Sequence, residues 1–181
     1  MMKKTVVIFL GLVLFLISNI APVQAASENK IKWSFMMGLT RFVTWPASFS
    51  GGVLNFCFVG KTPFNNESYS VSELTVKGLP IEKKVFNTGL PSLGDISNCH
   101  VLYFSDLLED IEVNYYLNTI KEIPILTVSS RSSFSNYGGM IQFIMINRKM
   151  RFKLNLTEVK DSGLKVHPSV IKLALPGKSA Y

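Results

Sequence analysis

The clearest alternation of hydrophobic and polar residues lies in residues 125–156 of the chain. Residues 125–128 form a short apolar run between polar neighbours, which is typical of a buried strand. Two longer strand-like runs follow, at residues 140–146 and 150–156. In the second of these, apolar residues occupy every other position, so that one face is apolar and the other is solvated. The pattern predicts a core strand followed by an antiparallel hairpin.

Upstream of this segment, strand-like and helix-like patterns alternate along the chain. Residues 53–59 and 100–104 have the apolar composition of buried strands, and residues 81–86 resemble a weaker edge strand. Strands that alternate with helices are usually joined by crossovers, which favour parallel pairing. We therefore expect one α/β domain with a mostly parallel sheet that ends in a C-terminal antiparallel hairpin.

Two helices are predicted from apolar residues at helical spacing. The first begins after Ser27 and ends near Trp45, because the residue before Pro46 is pushed out of the helical conformation. The second covers residues 109–122 and ends before Pro124. The residues predicted to face the core are Ile31, Phe35, Leu39 and Phe42 in the first helix, and Ile111, Tyr115, Leu117 and Ile120 in the second.

The N-terminal residues 1–25 have the pattern of a secretory signal peptide. Lys3 and Lys4 give a positive start, residues 5–20 are almost wholly apolar, and small residues precede the expected cleavage point at Ala25. Cleavage there leaves residues 26–181 as a single domain. An uncleaved membrane anchor is the alternative interpretation, because the apolar run is near the lower length limit for a membrane span.

The chain is basic, with a formal charge of +7 from 19 Lys and Arg residues against 12 Asp and Glu residues. Loss of Lys3 and Lys4 with the signal peptide leaves 17 of those 19 basic residues and lowers the charge to +5. These residues are scattered along the chain rather than clustered on one helix, so the composition argues against a nucleic-acid partner. A solvated basic surface explains the charge more simply.

Cys57 and Cys99 are the two cysteines of the chain, and both follow the predicted signal peptide. Export places them in an oxidising compartment, where a pair of thiols is expected to form a disulfide. Each lies at the edge of a strand-like run, which allows them to meet if the two strands are neighbours. A metal site is the alternative, but His100 and His167 would have to complete it, and no ligand spacing connects these residues.

The sequence contains no motif that points to catalysis or to cofactor binding. It has neither a Walker sequence nor G-x-G-x-x-G, and it lacks the hydrolase motif G-x-S-x-G. Asp106, Glu109 and Asp110 could form a carboxylate cluster, but their position at a predicted helix start explains them through the helix dipole. We therefore predict no enzymatic activity, no cofactor and no metal.

Three short motifs follow one another in a distinctive order. Residues 41–46 read R-F-V-T-W-P at the end of the first helix, residues 56–60 read F-C-F-V-G, and residues 99–103 read C-H-V-L-Y. Further pieces continue in the same order through Gly138-Gly139 to Gly163-Leu164. Together these motifs resemble the YfiR family of periplasmic regulators, over nearly the whole chain after the predicted signal peptide.

The resemblance implies a Rossmann-like, three-layer α/β domain without enzymatic activity. The best-known member of the family represses a membrane-bound diguanylate cyclase by binding its periplasmic sensor part, which lowers cyclic di-GMP and so bears on biofilm regulation. An OmpA-like outer-membrane lipoprotein can sequester that repressor, and dimerisation is associated with its behaviour. For this chain the resemblance implies a periplasmic repressor whose partners are an inner-membrane signalling protein, an OmpA-like lipoprotein and a second copy of itself.

The chain departs from the family in its cysteines. Cys57 and Cys99 match the first cysteine pair of the family, whereas residues 142–152, where a second pair is expected, contain no cysteine. A mechanism that needs two disulfides is therefore not expected here. The sequence leaves open whether Cys57 and Cys99 form a redox switch or only brace the fold.

The family motifs do not identify the residues that bind a partner. A C-terminal apolar run is a candidate partner surface, with packing in the core as the alternative, and its members are Val166, Val170, Ile171 and Leu173. An alternative function is a periplasmic small-molecule-binding module that reports its ligand to a membrane partner. That hypothesis depends on the α/β fold, which places loop clefts at the carboxyl ends of the strands.

Overall fold

The computed structural model describes residues 21–49, 51–65, 71, 74–87 and 91–176. Residues 1–20, which hold most of the predicted signal peptide, lie outside the described residues. The chain packs as two units that divide after Ile31. All the strands that the structure describes belong to the second unit, which begins at Lys32.

The described residues form five α-helices and nine β-strands. The helices are α1 (Ala21–Thr40), α2 (Leu93–Ile96), α3 (Asp110–Thr119), α4 (Leu156–Asp161) and α5 (Pro168–Leu173). The strands are β1 (Val43–Thr44), β2 (Leu54–Val59), β3 (Thr75–Val76), β4 (Leu79–Phe86), β5 (Val101–Phe104), β6 (Leu126–Ser129), β7 (Ile141–Ile146), β8 (Lys149–Leu154) and β9 (Lys165–Val166).

Seven strands form one sheet in the order β3-β4-β2-β5-β6-β7-β8, and β1 pairs with β9 in a separate two-stranded sheet. The neighbours from β4 to β7 are parallel, whereas β3 and β8 pair antiparallel with β4 and β7. The predicted mixed α/β class is therefore confirmed. The expected mostly parallel, Rossmann-like sheet is supported only in part, because antiparallel strands lie at both of its edges.

The predicted C-terminal hairpin is present as β7 and β8. Asn147 and Arg148 form its turn, and both have positive φ angles, of 49° and 61°. Two consecutive residues of this kind match the right-handed twist of the flanking strands and are typical of type I′ turns. Strand β8 begins at Lys149, one residue earlier than predicted, and Leu156 belongs to α4 rather than to the strand.

Helices cover both faces of β2, because successive side chains of a strand point to opposite faces. Phe56 and Phe58 lie in one apolar cluster with residues of α1, including Trp33. Cys57 and Val59 lie in a second cluster with residues of α3. These four of the six β2 side chains are 0% exposed, so this strand joins the two halves of the core.

Helix α1 ends at Thr40, earlier than the predicted end near Trp45. The chain leaves the helix to form β1, which pairs with β9, so strand pairing rather than Pro46 sets the boundary. Two residues predicted for the core, Ile31 and Phe42, are 41% and 45% exposed. The other two residues of that stripe pack in or against the apolar core as predicted.

The buried face of α3 is rotated relative to the prediction. Ile111 and Tyr115, which were expected to face the core, are 79% and 58% exposed. The residues that do face the core are Val113, Tyr116, Leu117 and Ile120. The prediction was therefore right for one half of the stripe and wrong for the other, because Ile111 and Tyr115 fall on the side of the helix opposite the sheet.

Candidate functional site

In open α/β sheets, ligands bind outside the carboxyl ends of the strands, where the strand order reverses. Here the reversal lies between β2 and β5, because β4 is added on one side of β2 and the later strands on the other. A Cβ atom at Gly60, after β2, would lie 2.9 Å from the Cβ of Ser105, after β5. The Ser105 hydroxyl also donates to the Lys61 carbonyl at 2.6 Å. Two protein loops are therefore in contact where such a ligand would bind.

Arg131, in the loop after β6, reinforces the same edge of the sheet. Its guanidinium donates to the Asp106 carbonyl at 2.9 Å and to the Leu108 carbonyl. It also forms an ion pair with the carboxylate of Asp110, at the start of α3. One side chain thus ties the loop that leads into α3 to the end of β6.

The predicted carboxylate cluster lies at the start of α3. Glu109 is the N-cap residue and forms a capping box with Glu112, and Asp110 lies in the first turn. Carboxylates at this position interact favourably with the partial positive charge of the helix N-terminus. Together with the ion pair to Arg131, this placement assigns Glu109 and Asp110 a role in starting the helix, and the Asp106 carbonyl accepts a bond from the same arginine.

His100 lies just before β5, at the amino end of the strands, and both of its ring nitrogens are engaged. The Asn55 N–H donates to Nδ1 at 3.1 Å, and Nε2 lies 3.1 Å from the Phe49 carbonyl oxygen. These two bonds fit the neutral ring with its proton on Nε2, which donates to Phe49. The rings of Trp45 and Phe49 contact the imidazole, with centroids 5.7 and 5.0 Å away.

Trp45 also contacts the backbone of this histidine. Its indole Nε1 donates to the His100 carbonyl at 3.2 Å, and the same carbonyl accepts a bond from the Leu126 N–H at 2.9 Å, at the start of β6. Two of the sequence motifs, residues 41–46 and 99–103, therefore meet at one point. The junction fixes the segment after α1 against the amino ends of β5 and β6.

Burial lowers the pKa of His100 below its usual value of 6.5. The hydrogen bond to the Phe49 carbonyl opposes this shift, and the positive charge of Lys84 adds to it. A cleft of about 400 Å³ opens beside the ring, and its lining includes Asn55, Lys84, Asn98 and His100. The neutral imidazole is thus favoured at a cleft that already holds one cationic side chain.

A disulfide joins Cys57 of β2 to Cys99, which directly precedes His100, with a Cα–Cα distance of 5.9 Å. The two residues meet because β2 and β5 are neighbours in the sheet. Both cysteines are 0% exposed and lie in the apolar cluster under α3. Because solvent does not reach the sulfur atoms in the folded protein, the geometry favours a structural brace over a redox switch.

A second cleft, of about 200 Å³, lies beside the two-stranded sheet of β1 and β9. Its lining residues are Arg41, Phe42, Thr44, Lys77, Lys165, Val166 and His167. The Lys77 ammonium donates to the Val43 carbonyl at 2.6 Å, which attaches the turn between β3 and β4 to β1. These cations belong to the basic surface expected from the composition.

The structure separates the four residues of the C-terminal candidate surface. Val170 is buried at 3% exposure, and Val166 is partly buried and pairs with Val43. Ile171 and Leu173 are 37% and 68% exposed on α5. The accessible part of this surface therefore consists of Ile171 and Leu173.

Comparison with known families identifies the family of this chain. The family model described as YfiR/HmsC-like matches residues 29–175, a span that contains every site described above. The chain belongs to the YfiR/HmsC-like family. The resemblance inferred from the short motifs is thus confirmed. The YfiR/HmsC-like family comprises periplasmic regulators of diguanylate cyclase signalling.

Within the residues that the structure describes, no helix has the length and apolar character needed to cross a membrane. In the same part of the chain, His, Cys, Asp and Glu side chains form no group of three or more that could hold a metal ion.

Several features of this YfiR/HmsC-like chain were not predicted from sequence. Trp45 and His100 each lie in a recognised motif, but nothing in the sequence indicates that the two motifs touch. Arg131 lies in a serine-rich loop without periodicity, so it gave no signal. The exposed positions of Ile111 and Tyr115 on α3 were hidden by the approximate helical spacing that they share with buried residues.

We expect acid to destabilise the folded protein through His100. Because its pKa is lowered in the folded state, the unfolded chain binds a proton first as the pH falls below about 6.5, and the free energy of unfolding decreases in that window. Urea denaturation across this range should show the decrease. In the His100→Gln variant the Asn55 N–H loses its acceptor, so stability near neutral pH should fall by about 1–3 kcal/mol.

The pH dependence also distinguishes the two histidines. His100→Gln should remove most of the decrease on acidification, whereas His167→Gln, the matched control, retains His100 and should keep it. Equal slopes of unfolding free energy against pH in the wild type and in His100→Gln would contradict this assignment.

We expect the disulfide between Cys57 and Cys99 to resist reductant in the folded protein, because both sulfur atoms are buried. Mass spectrometry after treatment with dithiothreitol and iodoacetamide should show little labelling without urea and full labelling with it. A variant in which both cysteines are alanine should lose stability on the order of 4 kcal/mol. Rapid labelling under native conditions would support a redox switch instead.

Proposed function

We propose that this protein is a periplasmic repressor that binds the periplasmic part of an inner-membrane diguanylate cyclase, or of a related signalling protein, and inhibits it. The inhibition lowers cyclic di-GMP and thereby restrains biofilm formation. The observation that carries this proposal is the family match over residues 29–175, because the family acts in diguanylate cyclase signalling. Direct contact with the cyclase and its inhibition are the steps that the proposal adds.

The cysteines support an exported location. A buried disulfide links two neighbouring strands of the sheet, and such bonds form and persist in oxidising compartments. Residues 1–25 would direct export and be removed near Ala25, which leaves the YfiR/HmsC-like region in the periplasm. The charge of the exported chain then falls to +5.

The edge of the sheet supports a regulatory rather than a catalytic role. The loops after β2 and β5 touch at Gly60 and Ser105, and Arg131 ties the next loop to α3. Protein groups thus occupy the position where α/β enzymes commonly bind their substrates. We propose that the protein is not an enzyme and that it acts through its surfaces.

Two further partners belong to this proposal. An OmpA-like outer-membrane lipoprotein would sequester the repressor and so release the cyclase, and a second copy of the chain would form a homodimer. Ile171 and Leu173, the accessible members of the C-terminal apolar run, are one candidate contact surface for these partners.

The repressor hypothesis predicts a change in the cyclic di-GMP content of the host cell. Deletion of the coding sequence should raise cyclic di-GMP several-fold. Expression of residues 1–181 in the deletion strain should lower cyclic di-GMP to the wild-type level again. The matched control is a chain without residues 2–25. This chain would remain in the cytoplasm, so the cyclic di-GMP level should stay raised. Mass-spectrometric quantification of cyclic di-GMP would contradict the hypothesis if deletion left the level unchanged.

The small-molecule-binding alternative is favoured by one specific observation. The Asn55 side-chain oxygen is buried without a hydrogen-bond partner at the edge of the 400 Å³ cleft. That volume is within the usual range for ligand pockets, and Lys84 would favour an anionic ligand there.

The alternative predicts that an organic acid or amino acid raises the melting temperature of the purified protein. Lys84→Ala should remove this effect, whereas Lys149→Ala, on the distant hairpin, should leave it intact. A thermal-shift panel of such compounds without any stabilising member would count against a ligand-reporting function.

A further inference from the structure

The outer face of α3 carries large apolar side chains that the fold does not use. Ile111 is 79% exposed and Tyr115 is 58% exposed. Residues four positions apart on a helix are neighbours, so these two side chains form one continuous patch. Leu107, in the turn four residues before Ile111, is 73% exposed. We name these three residues the α3 patch.

The α3 patch is not part of an incomplete core. Each residue of a helix is rotated by about 100° from the one before, so Ile111 and Tyr115 lie on the side opposite the buried residues. The buried face is complete without them, because Val113, Tyr116 and Leu117 already pack under the helix. Isolated exposed apolar residues are common, but several grouped on one helix face indicate an interaction surface.

Acidic side chains border the α3 patch. Asp110 and Glu112 flank Ile111 in the sequence and lie on opposite sides of it around the helix, and Glu109 caps the helix. Residues 85–120 contain no Lys or Arg, although the chain as a whole is basic. Arg131 pairs with Asp110 and compensates one of these charges. The patch therefore lies in an acidic region of a basic protein.

The patch is held in place before any partner arrives. Arg131 fixes the preceding loop through the Asp106 carbonyl, and the Tyr137 hydroxyl donates to the Asp110 carboxylate at 3.5 Å. Under the helix, the Tyr116 hydroxyl donates to the Pro91 carbonyl at 2.8 Å. A surface that is already ordered loses little conformational entropy on binding, which favours affinity.

We infer that the α3 patch is the surface that docks on the periplasmic part of the signalling partner, and that the partner presents an apolar groove bordered by Lys or Arg. The inference rests on the proposed function and adds the surface and the partner chemistry to it. Leu107, Ile111 and Tyr115 enter the groove, and the basic border of the groove faces Glu109 and Glu112.

The acidic border of the α3 patch favours a partner of this kind over two others, a second copy of the chain and an anionic membrane surface. In a symmetric contact between two copies, the same patch is used on both sides, so the acidic borders would face each other and repel. An anionic membrane surface would also repel the acidic border. A partner with basic residues around an apolar groove is attracted by both components of the surface.

The test uses two variants of the patch and one matched control. Ile111→Lys combined with Tyr115→Ser removes the apolar contact, and Glu109→Gln combined with Glu112→Gln removes the border charge while the amide oxygens can still accept the bonds of the capping box. Ile146→Lys is the control, because Ile146 is also an exposed isoleucine, at 42%, but lies on the hairpin outside the patch. Urea denaturation should show that all three proteins remain folded, since none of the altered side chains is buried.

The first readout is cyclic di-GMP in a deletion strain that expresses each variant. We expect both patch variants to leave cyclic di-GMP at the deletion level, whereas the wild type and Ile146→Lys lower it. If the patch variants lower it as the wild type does, the docking surface is overturned and the repressor function stands. Loss of repression in an Ile171→Lys, Leu173→Lys variant alone would then place docking on α5. If the wild type itself does not lower cyclic di-GMP, the proposed function fails and the docking inference fails with it.

The second readout tests the partner chemistry directly with defined probes. A short fluorescent amphipathic peptide of leucine and lysine should bind the wild type and the Ile146→Lys control, and its affinity should fall about tenfold in each patch variant. A peptide in which glutamate replaces lysine should not bind. Equal binding of the two peptides, or equal binding by the wild type and the patch variants, would overturn the inference.

Discussion

Strand β2 has to satisfy neighbours on four sides at once, and the rest of the structure depends on that constraint. It pairs in parallel with β4 and β5, so its backbone groups are used along both edges. Phe56 and Phe58 fill the side under α1, and Cys57 and Val59 fill the side under α3. A residue that is too small or polar at any of these four positions would open one half of the core, because none of these side chains reaches solvent.

Two connections then secure the strands next to β2. The disulfide from Cys57 fixes the start of β5 from within the core, and the residue after Cys99 is the histidine that Trp45 and Phe49 enclose. The covalent bond and the hydrogen-bonded junction therefore act on consecutive residues. Together they determine where β5 begins, and the segment after α1 is held at the same place.

Much of this arrangement could be predicted from sequence. The hairpin was predictable because two strand-like runs, the second of them alternating, are separated by only residues 147–149, and the disulfide was predictable from the expected export and two thiols. The family was also within reach, since its motifs are short but occur in a fixed order. The α/β class followed from the alternation of strand and helix patterns.

The remaining features depend on contacts that a one-dimensional pattern does not contain. Helix α1 ends at Thr40 because the chain then forms β1, which pairs with β9, a strand that lies far along the chain. Ile111 and Tyr115 are spaced like core residues, and only the orientation of α3 on the sheet shows that they point outward. Arg131 acts through backbone carbonyls, which have no sequence signature. The surface that we assign to the partner was thus hidden by the same periodicity that located the helix.

The hydrogen bond from the Tyr116 hydroxyl to the Pro91 carbonyl, beneath α3, responds to pH differently from the junction around His100. Burial, together with the nearby Tyr115, Glu112 and Asp95, raises the pKa of Tyr116 to about 12. Its hydroxyl therefore keeps its proton, and its bond to the Pro91 carbonyl, at the acidic pH that protonates His100. In the periplasmic location that we propose, a fall in pH would therefore act on the junction around His100 at the amino ends of the strands, while the Tyr116 bond under α3 is unaffected. Acid would then weaken the fold at His100 without breaking the bond that holds α3, the helix that carries the α3 patch.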